Sequence, residues 1–359
     1  MIRMLSNSYA DEVNTNAQNL TVREIARRLD PDQFHTTLFM VGTPDRRLAG
    51  SNVRFLRFHA HGKAARFLTE ALLGSYAVNF YVRNEWVDGM YLRLRPRLAP
   101  RQIAVYHVVS GMGSQEENPQ LLAAQVAGIT RSHVVACNSA HVADTVESRL
   151  GVRPPVVRNG VDFERFAPSE RKVGGDRSRI LFAGSLQSRK RPDAVLDAAS
   201  RLPDADFTII GSGPLRDQIA TRAQRLPNVV LKATVEQSRL ADEMRKADVF
   251  LLPSASPSSE GAPQVLAQAA ATGLPVVAFS AYRPEAVIDG TSGFVVRDDL
   301  EMIERLSVLV AQPGLRHAMG SAGVSLTRER FDWNRIVVEW KSMIVEAVAR
   351  TDRSKAEAN

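Results

Sequence analysis

The sequence predicts an α/β protein made of two doubly wound parallel sheets in tandem. Three observations lead there. Short apolar runs alternate with longer amphipathic segments along almost the whole chain, the rhythm of parallel strands joined by crossover helices. That rhythm stops once, in the polar, glycine-bearing stretch Pro168 to Arg179 (PSERKVGGDRSR), expected as an interdomain linker, and then restarts. The length of 359 residues exceeds one ordinary core and suits two domains of roughly 150 to 180 residues each.

In the first half, Met1 to Leu5, His35 to Val41, Val78 to Val82, Ala104 to Val108 and His133 to Ala136 read as strands, with helices such as Leu20 to Leu29 between them. A short strand at Pro154 to Arg158 closes this unit before the turn signal Asn159-Gly160-Val161-Asp162. In the second half the strands are Ile180 to Ala183, Asp206 to Ile210, Asn228 to Leu231, Val249 to Leu252, Pro275 to Phe279 and Gly293 to Val296. Helices at Pro192 to Arg201, Leu215 to Leu226 and Ser238 to Ala247 alternate with them. Leu300 to Arg330 and Phe331 to Ala349 read as helices, the last with Ile336, Val337, Trp340, Met343, Ile344 and Val348 at helical spacing, before a frayed tail. The expected domains are 1–165 and 166–330, with a C-terminal helix and tail at 331–359 packing back toward the first.

Composition narrows the function classes. Hydrophobic residues at 44% and charged residues at 24% are those of a folded globular protein. The longest apolar runs fall far short of the ~20 residues of a membrane span. The N-terminus turns polar after Leu5 without a signal-peptide core, so a cytoplasmic location is expected. The single cysteine, Cys137, allows no internal disulfide and reads as a core thiol. From Arg54 to Arg101 nine Lys or Arg residues face three acidic ones. This basic stretch is either a solvated face or a contact for an anionic membrane surface or a phosphorylated substrate. Aromatics at 6% do not interleave with the basic residues, which disfavours nucleic acid.

In an open α/β sheet ligands bind beyond the carboxyl ends of the strands, so motifs that follow strands matter most, and two such domains favour a cleft between them. The segment Pro253 to Gly273 (PSASPSSEGAPQVLAQAAATG) places Glu260 and Gly261 in a loop after a strand, with a helix opening around Pro263 and stopping at Gly273. The helix amides of Gln264, Val265 and Leu266, with the positive end of the dipole, suit a diphosphate. Gln264 and Gln268 share one helix face. His59, His61, His133, His141 and His317 have no metal-ligand spacing, and no Asp-x-Asp follows a strand, so no metal is expected. The first strand is not followed by Gly-x-Gly-x-x-Gly, which disfavours a dinucleotide dehydrogenase.

EGAPQVLAQAAATGLPVVA resembles the signature of family-4 retaining glycosyltransferases, the group 1 glycosyltransferases with the GT-B fold, in which two glutamates stand eight positions apart. Glu260 matches the first, beside the donor sugar; the second, which holds the nucleotide ribose, falls on Gln268, an amide that keeps an acceptor oxygen and loses the charge. ILFAGSLQSRKRP resembles the family's Gly-Arg-Leu and lysine segment: Lys190 falls on the lysine that meets the donor diphosphate. The usual arginine falls on Ser185, so Arg189 or Arg191 would replace that contact. Gly211-Ser212-Gly213-Pro214 resembles the turn below the nucleoside, Pro284-Glu285 and Gly290 to Phe294 the loop after the donor helix, and Asn159 to Asp162 the interdomain hinge. Together the likeness spans roughly residues 130 to 340. His107, at a strand end, falls where several members place a histidine against the reacting sugar, with Gly111 and Gly113 following. Asp11 to Gln18 replaces the family's glycine-rich turn.

The resemblance implies a GT-B fold: two Rossmann-like doubly wound domains facing a central cleft, acceptor on the N-terminal one and donor on the C-terminal one. It implies a retaining, metal-independent hexosyltransferase using a nucleoside-diphosphate sugar, with a glycan, lipid-linked or small-molecule acceptor, in polysaccharide or glycoconjugate biosynthesis. Glu260, Lys190 and His107 are the expected catalytic residues. Ser185, Arg189, Gly211, Gly213, Gln264, Val265, Leu266 and Gln268 are the expected donor site. Two alternatives stand beside it: a UDP-sugar 2-epimerase-like isomerase, which shares the two-domain architecture, and a non-catalytic sugar-nucleotide-binding protein, suggested by Gln268 and Ser185.

Overall fold

The computed structural model describes residues 1–11, 16–58, 62–82, 85–112, 119–169, 177–254 and 261–356. The chain divides into two compact units, Met1–Asn159 with Trp333–Asn359, and Gly160–Asp332. The change of unit falls at Asn159-Gly160, and the stretch expected as a linker lies within the second unit, its residues 170–176 outside the described ones. Just past that change the Val161 N–H donates to the Phe331 carbonyl at 2.8 Å, tying the start of the second unit to its end. The change of unit thus falls at the Asn159-Gly160 turn and not at the polar stretch.

In the first unit the strands are β1 (Ile2–Tyr9), β2 (Phe34–Met40), β3 (Val53–Arg57), β4 (Val78–Tyr81), β5 (Ile103–Val108) and β6 (Val134–Cys137). The helices are α1 (Ala17–Arg28), α2 (Lys63–Leu73), α3 (Trp86–Leu98), α4 (Pro119–Arg131) and α5 (Ala140–Leu150). The sheet is parallel, in the order β3-β2-β1-β4-β5-β6. β3, VRFLR, escapes the sequence reading because it is an edge strand whose two arginines break the apolar run. The strand expected at 154–158 is a single bridge from Val156 to Cys137, since Pro154 and Pro155 have no N–H for a ladder.

The second unit contains β7 (Ser178–Ala183), α6 (Pro192–Arg201), β8 (Ala205–Ile210), α7 (Arg216–Ala223), β9 (Val229–Lys232), α8 (Gln237–Lys246), β10 (Val249–Leu252) and α9 (Gln264–Ala271). β11 (Val276–Phe279), β12 (Gly293–Val296), α10 (Asp299–Ala311) and α11 (Pro313–Arg330) follow. Its parallel sheet has the order β12-β11-β10-β7-β8-β9. The single helix expected over 300–330 is two, broken where Pro313 starts α11. α9 is short and alanine-rich, and α11 packs on it and on the turn that follows: a Cβ on Gly323 would lie 3.4 Å from the Ala270 Cβ, and one on Gly320 2.1 Å from the Gly273 carbonyl oxygen.

The last helix, α12 (Trp333–Ala356), belongs to the first unit, where Trp333, Ile336, Val337, Trp340 and Ile344 enter its core. Burial of each such side chain is worth roughly 1.5–3 kcal/mol. β5 separates two layers: Ile103 and Val105 face the layer of Trp340, while Ala104, Tyr106 and Val108 face the one holding Phe67 and Tyr91. Both sheets start in the middle, run to one edge, return and continue to the other. Their switch points therefore lie between β1 and β4 and between β7 and β10. Among the described residues no helix is long and apolar enough to cross a membrane.

Candidate active site

The second unit collects most of the residues singled out in the sequence at its own switch point. β7 and β10 pair side by side, Ile180 with Val249 and Leu181 with Phe250. The segment after β7 leads to Lys190, and the segment after β10 leads to α9. Lys190 ends a tight turn, Ser188–Lys190, and its side chain is largely enclosed at 8% exposure. The turn ends because Arg191 takes a left-handed conformation (φ 50°) ahead of Pro192, the first residue of α6. Arg191 reaches away: its guanidinium donates to Asp299 Oδ2 at 2.6 Å and lies 5.2 Å over the Phe279 ring. Arg189 Nε donates to Gln187 Oε1 at 3.2 Å, and Ser185 is half-buried on the same loop.

The glycines after β8 are packed against that loop. Leu186 N–H donates to the Ser212 carbonyl and Leu215 N–H to the Leu186 carbonyl, both at 3.0 Å. A Cβ on Gly211 would stand 1.9 Å from the Gly184 carbonyl oxygen, and one on Gly213 2.5 Å from that of Leu186. Gly211 and Gly213 thus hold the Lys190 loop by backbone contact that no side chain permits.

α9 opens with Pro263 at the N-cap, whose side chain makes no capping hydrogen bond. Proline has no side-chain acceptor, so this residue leaves the first-turn amides to other partners. The Leu266 N–H donates to the Pro263 carbonyl at 3.1 Å, which corrects the expectation that three amides are available. Those of Gln264 and Val265 begin the helix and have no intrahelical acceptor. The Gln264 side chain is buried, and its Oε1 has no partner among the described residues. Gln268, one turn on, donates from Nε2 to Oε1 of Gln237 at 2.9 Å. Gln237, the first residue of α8, carries no sequence signal, because the contact spans a separation of 31 residues. Glu260 lies outside the described residues.

His107 stands elsewhere. It is fully buried in β5, with Nε2 3.0 Å from the Val157 carbonyl and its ring edge-on to Trp340 at 4.9 Å between centroids. Burial depresses its pKa to about 4, against a small opposing effect of the Val157 carbonyl, so the ring is neutral near pH 7. From there it packs the core of the first unit and offers no nitrogen to solvent. Gly111 is buried and Gly113 lies outside the described residues. Cys137 is a buried thiol, raised by burial to about 12. His133 accepts the Ala104 N–H at 2.9 Å, while His59 and His61 lie outside the described residues. At Asp11, in place of a glycine-rich turn, a buried carboxylate accepts N–H bonds from Val41, at 3.1 Å, and from Gly42.

Residues 177–312 match the family model of glycosyl transferases, group 1. A D-inositol 3-phosphate glycosyltransferase of Streptomyces bingchenggensis is 31% identical over 244 residues, 59% of this chain and 52% of that protein. A phosphatidyl-myo-inositol mannosyltransferase of Mycobacterium tuberculosis is 30% identical over 214 residues, 56% of either chain. The chain thus spans about half the length of the curated relatives it matches. Among solved structures, sucrose-phosphate synthase from Thermosynechococcus elongatus superposes with a TM-score of 0.81 at 17% identity, over 98% of this chain and 100% of that one. Anabaena HepE in complex with UDP-glucose gives 0.77 at 18% identity, over 95% and 100%. The fold is that of the GT-B glycosyltransferases.

Proposed function

We propose that this protein is a retaining, metal-independent glycosyltransferase that moves a sugar from a nucleoside-diphosphate sugar to an acceptor hydroxyl, in glycan or glycoconjugate assembly. The observation that carries the proposal is the N-terminus of α9, which opens on Pro263 without a side-chain cap from that residue after the strand on one side of the second sheet's switch point, while Lys190 comes from the loop of the adjacent strand. In the reaction the bond from the anomeric carbon to the diphosphate oxygen breaks. The acceptor oxygen bonds to that carbon on the same face, and its proton passes to the departing phosphate oxygen. Negative charge grows on the diphosphate, where Lys190 and the amides of Gln264 and Val265 stabilise it without a metal. Glu260, four residues before Gln264, offsets positive character on the sugar. The matching relatives are named for inositol acceptors, which supports a polyol or glycan hydroxyl as acceptor.

The test is transfer or hydrolysis from UDP-, GDP- and ADP-sugars. Lys190→Ala and Glu260→Ala are each expected to lower kcat/KM by roughly 2–4 kcal/mol of transition-state stabilisation, with EDTA without effect. Near-normal rates in both folded variants, or activity lost to EDTA and restored by magnesium, overturn the assignment. Gln268 and Ser185 are the observations that favour a non-catalytic binder, which would bind donor without turnover. Release of an epimerised sugar nucleotide without acceptor would identify the isomerase.

We also propose that the basic stretch meets an anionic bilayer through α3. Arg93 and Arg97 are exposed there with Met90 and with Trp86, which is 69% exposed. Arg95 is excluded, since it donates to the Gln102 carbonyl at 3.0 Å. Arg93→Glu with Arg97→Glu should weaken binding to phosphatidylserine vesicles by about 1 kcal/mol per residue replaced, while sparing donor hydrolysis. Wild type that ignores such vesicles at low salt refutes it.

A further inference from the structure

Building on the donor site proposed above, we propose that Gln237 is a positioning residue for nucleotide binding: it holds the Gln268 carboxamide so that one polar atom of that amide faces the nucleoside sugar hydroxyls. The two side chains come from different helices, Gln237 from the first position of α8 and Gln268 from the middle of α9, and meet through a 2.9 Å N–H to O bond. A primary amide carries two N–H donors and one acceptor oxygen, so this bond consumes one donor of Gln268 and leaves its Oε1 open to accept from a hydroxyl. One turn earlier on the same face, the buried Gln264 Oε1 has no partner among the described residues, so this face holds acceptor capacity that the described protein groups do not use. A neutral amide pair has a further property. Both carboxamides can turn over together, keeping one N–H to O bond with its direction reversed, and Gln268 then presents an N–H. A carboxylate at position 268 has no donor, and Gln237 would have to donate to it.

That chemistry makes the two positions interdependent in a way a merely structural contact is not. Glutamate at 237 can accept from Gln268, and glutamate at 268 can accept from Gln237, so each single change is tolerated. Glutamate at both places two carboxylates on one hydrogen bond. Calorimetry with UDP, GDP and ADP and their 2′-deoxy forms measures this on the full chain. Gln237→Leu is expected to weaken the best-binding ribonucleotide about tenfold, the scale of one hydrogen bond, with a smaller effect on its 2′-deoxy form. Gln237→Ala, which carries less bulk, should do the same. Gln237→Glu and Gln268→Glu alone should each stay within about threefold, whereas the double variant should lose about tenfold or more beyond their product at pH 8 and recover toward pH 5 as the pair takes up one proton. Additive, pH-independent losses in the double variant, or unchanged binding in both Gln237→Leu and Gln237→Ala, overturn the role of Gln237. If instead Gln268→Ala binds every nucleotide as wild type does, or wild type binds none, the donor-site assignment itself falls and this inference with it.

Discussion

α3 and α9 occupy the same place in two sheets of the same strand order, each following the strand on the far side of the switch point, yet their first turns are built oppositely. α3 begins at Glu85, and Asp88 in its first turn turns back so that its Oδ2 accepts the Glu85 N–H at 3.0 Å. The Glu85 carboxylate also accepts from Asn7 Nδ2 at 3.2 Å and lies 3.9 Å from Lys63, whose ammonium sits 4.1 Å over the Tyr9 ring. α9 begins at Pro263 and brings no acid of its own into its first turn. Topology thus places the positive end of a helix dipole at each switch point, and the residues of the first turn decide whether that turn carries an acid of its own. The first unit lines its end with two carboxyl groups of its own, Glu85 and Asp88. The second opens on Pro263 with no acid in its first turn, the difference on which the proposed donor site rests.

The largest expected effect tests the filled end. Burial first, and the neighbouring Glu85 charge second, raise the Asp88 pKa to about 7 from an ordinary 3.8. A carboxyl with a raised folded-state pKa keeps a proton that the unfolded chain releases, so its stabilisation is lost as pH rises from about 4 through 7. Asp88→Asn keeps an acceptor for the Glu85 N–H and cannot ionise. It should be more stable than wild type at pH 8 by on the order of 4 kcal/mol and similar to it at pH 4. Parallel urea midpoints for the two proteins from pH 4 to 8 would show that Asp88 is ionised without strain, and the contrast with α9 would then be one of position only.

Next in size is a pair of glycine substitutions in the loops that flank these ends. Gly211→Ala drives a Cβ into the Gly184 carbonyl and should cost roughly 3 kcal/mol, while Gly42→Ala in the first unit, whose Cβ would stand 3.3 Å from Asp11 Oδ1, should cost under about 1 kcal/mol. Thermal unfolding of both variants measures this; equal losses would mean that the loop after β8 is not braced by backbone contact.

The smallest effect concerns His107. Its folded pKa near 4 lies below the unfolded value near 6.5, so the unfolded state takes up the proton first and stability falls as pH drops below about 6.5. Wild type should lose about 2–3 kcal/mol between pH 7 and pH 4.5 through this group. His107→Leu should start lower, for want of a partner to the Val157 carbonyl, and lose less over the same interval. An unchanged acid slope would mean that the ring is reached by water, as a substrate-facing histidine requires.

The two-sheet plan, the position of Lys190 after β7 and the start of α9 were all legible in the sequence, because strand runs, Pro, Gly and chain order are local signals. His107 was not: a strand-end histidine reads the same whether its neighbour is a sugar or Trp340, which arrives from 233 positions further along the chain. Gln237 was silent for the same reason. The Leu266 amide was not legible either: the first turn of α9 is tight enough for its N–H to reach the Pro263 carbonyl, and a sequence does not show which helix-end amides are taken.

What the sequence determined by itself, then, is the periodicity that makes each strand and helix, the order that places motifs beyond strand ends, and the absence of an internal disulfide in a chain with Cys137 alone. The tertiary structure decided the rest: that α12 completes the first unit's core, that Gly211 and Gly213 brace the Lys190 loop, that Asp88 turns back onto the start of α3 while Pro263 at the start of α9 makes no such bond, and that Gln268 is held by Gln237. Periodicity is set by the backbone geometry of neighbouring residues, whereas ionisation, amide satisfaction and burial depend on what distant parts of the chain bring within a few ångströms.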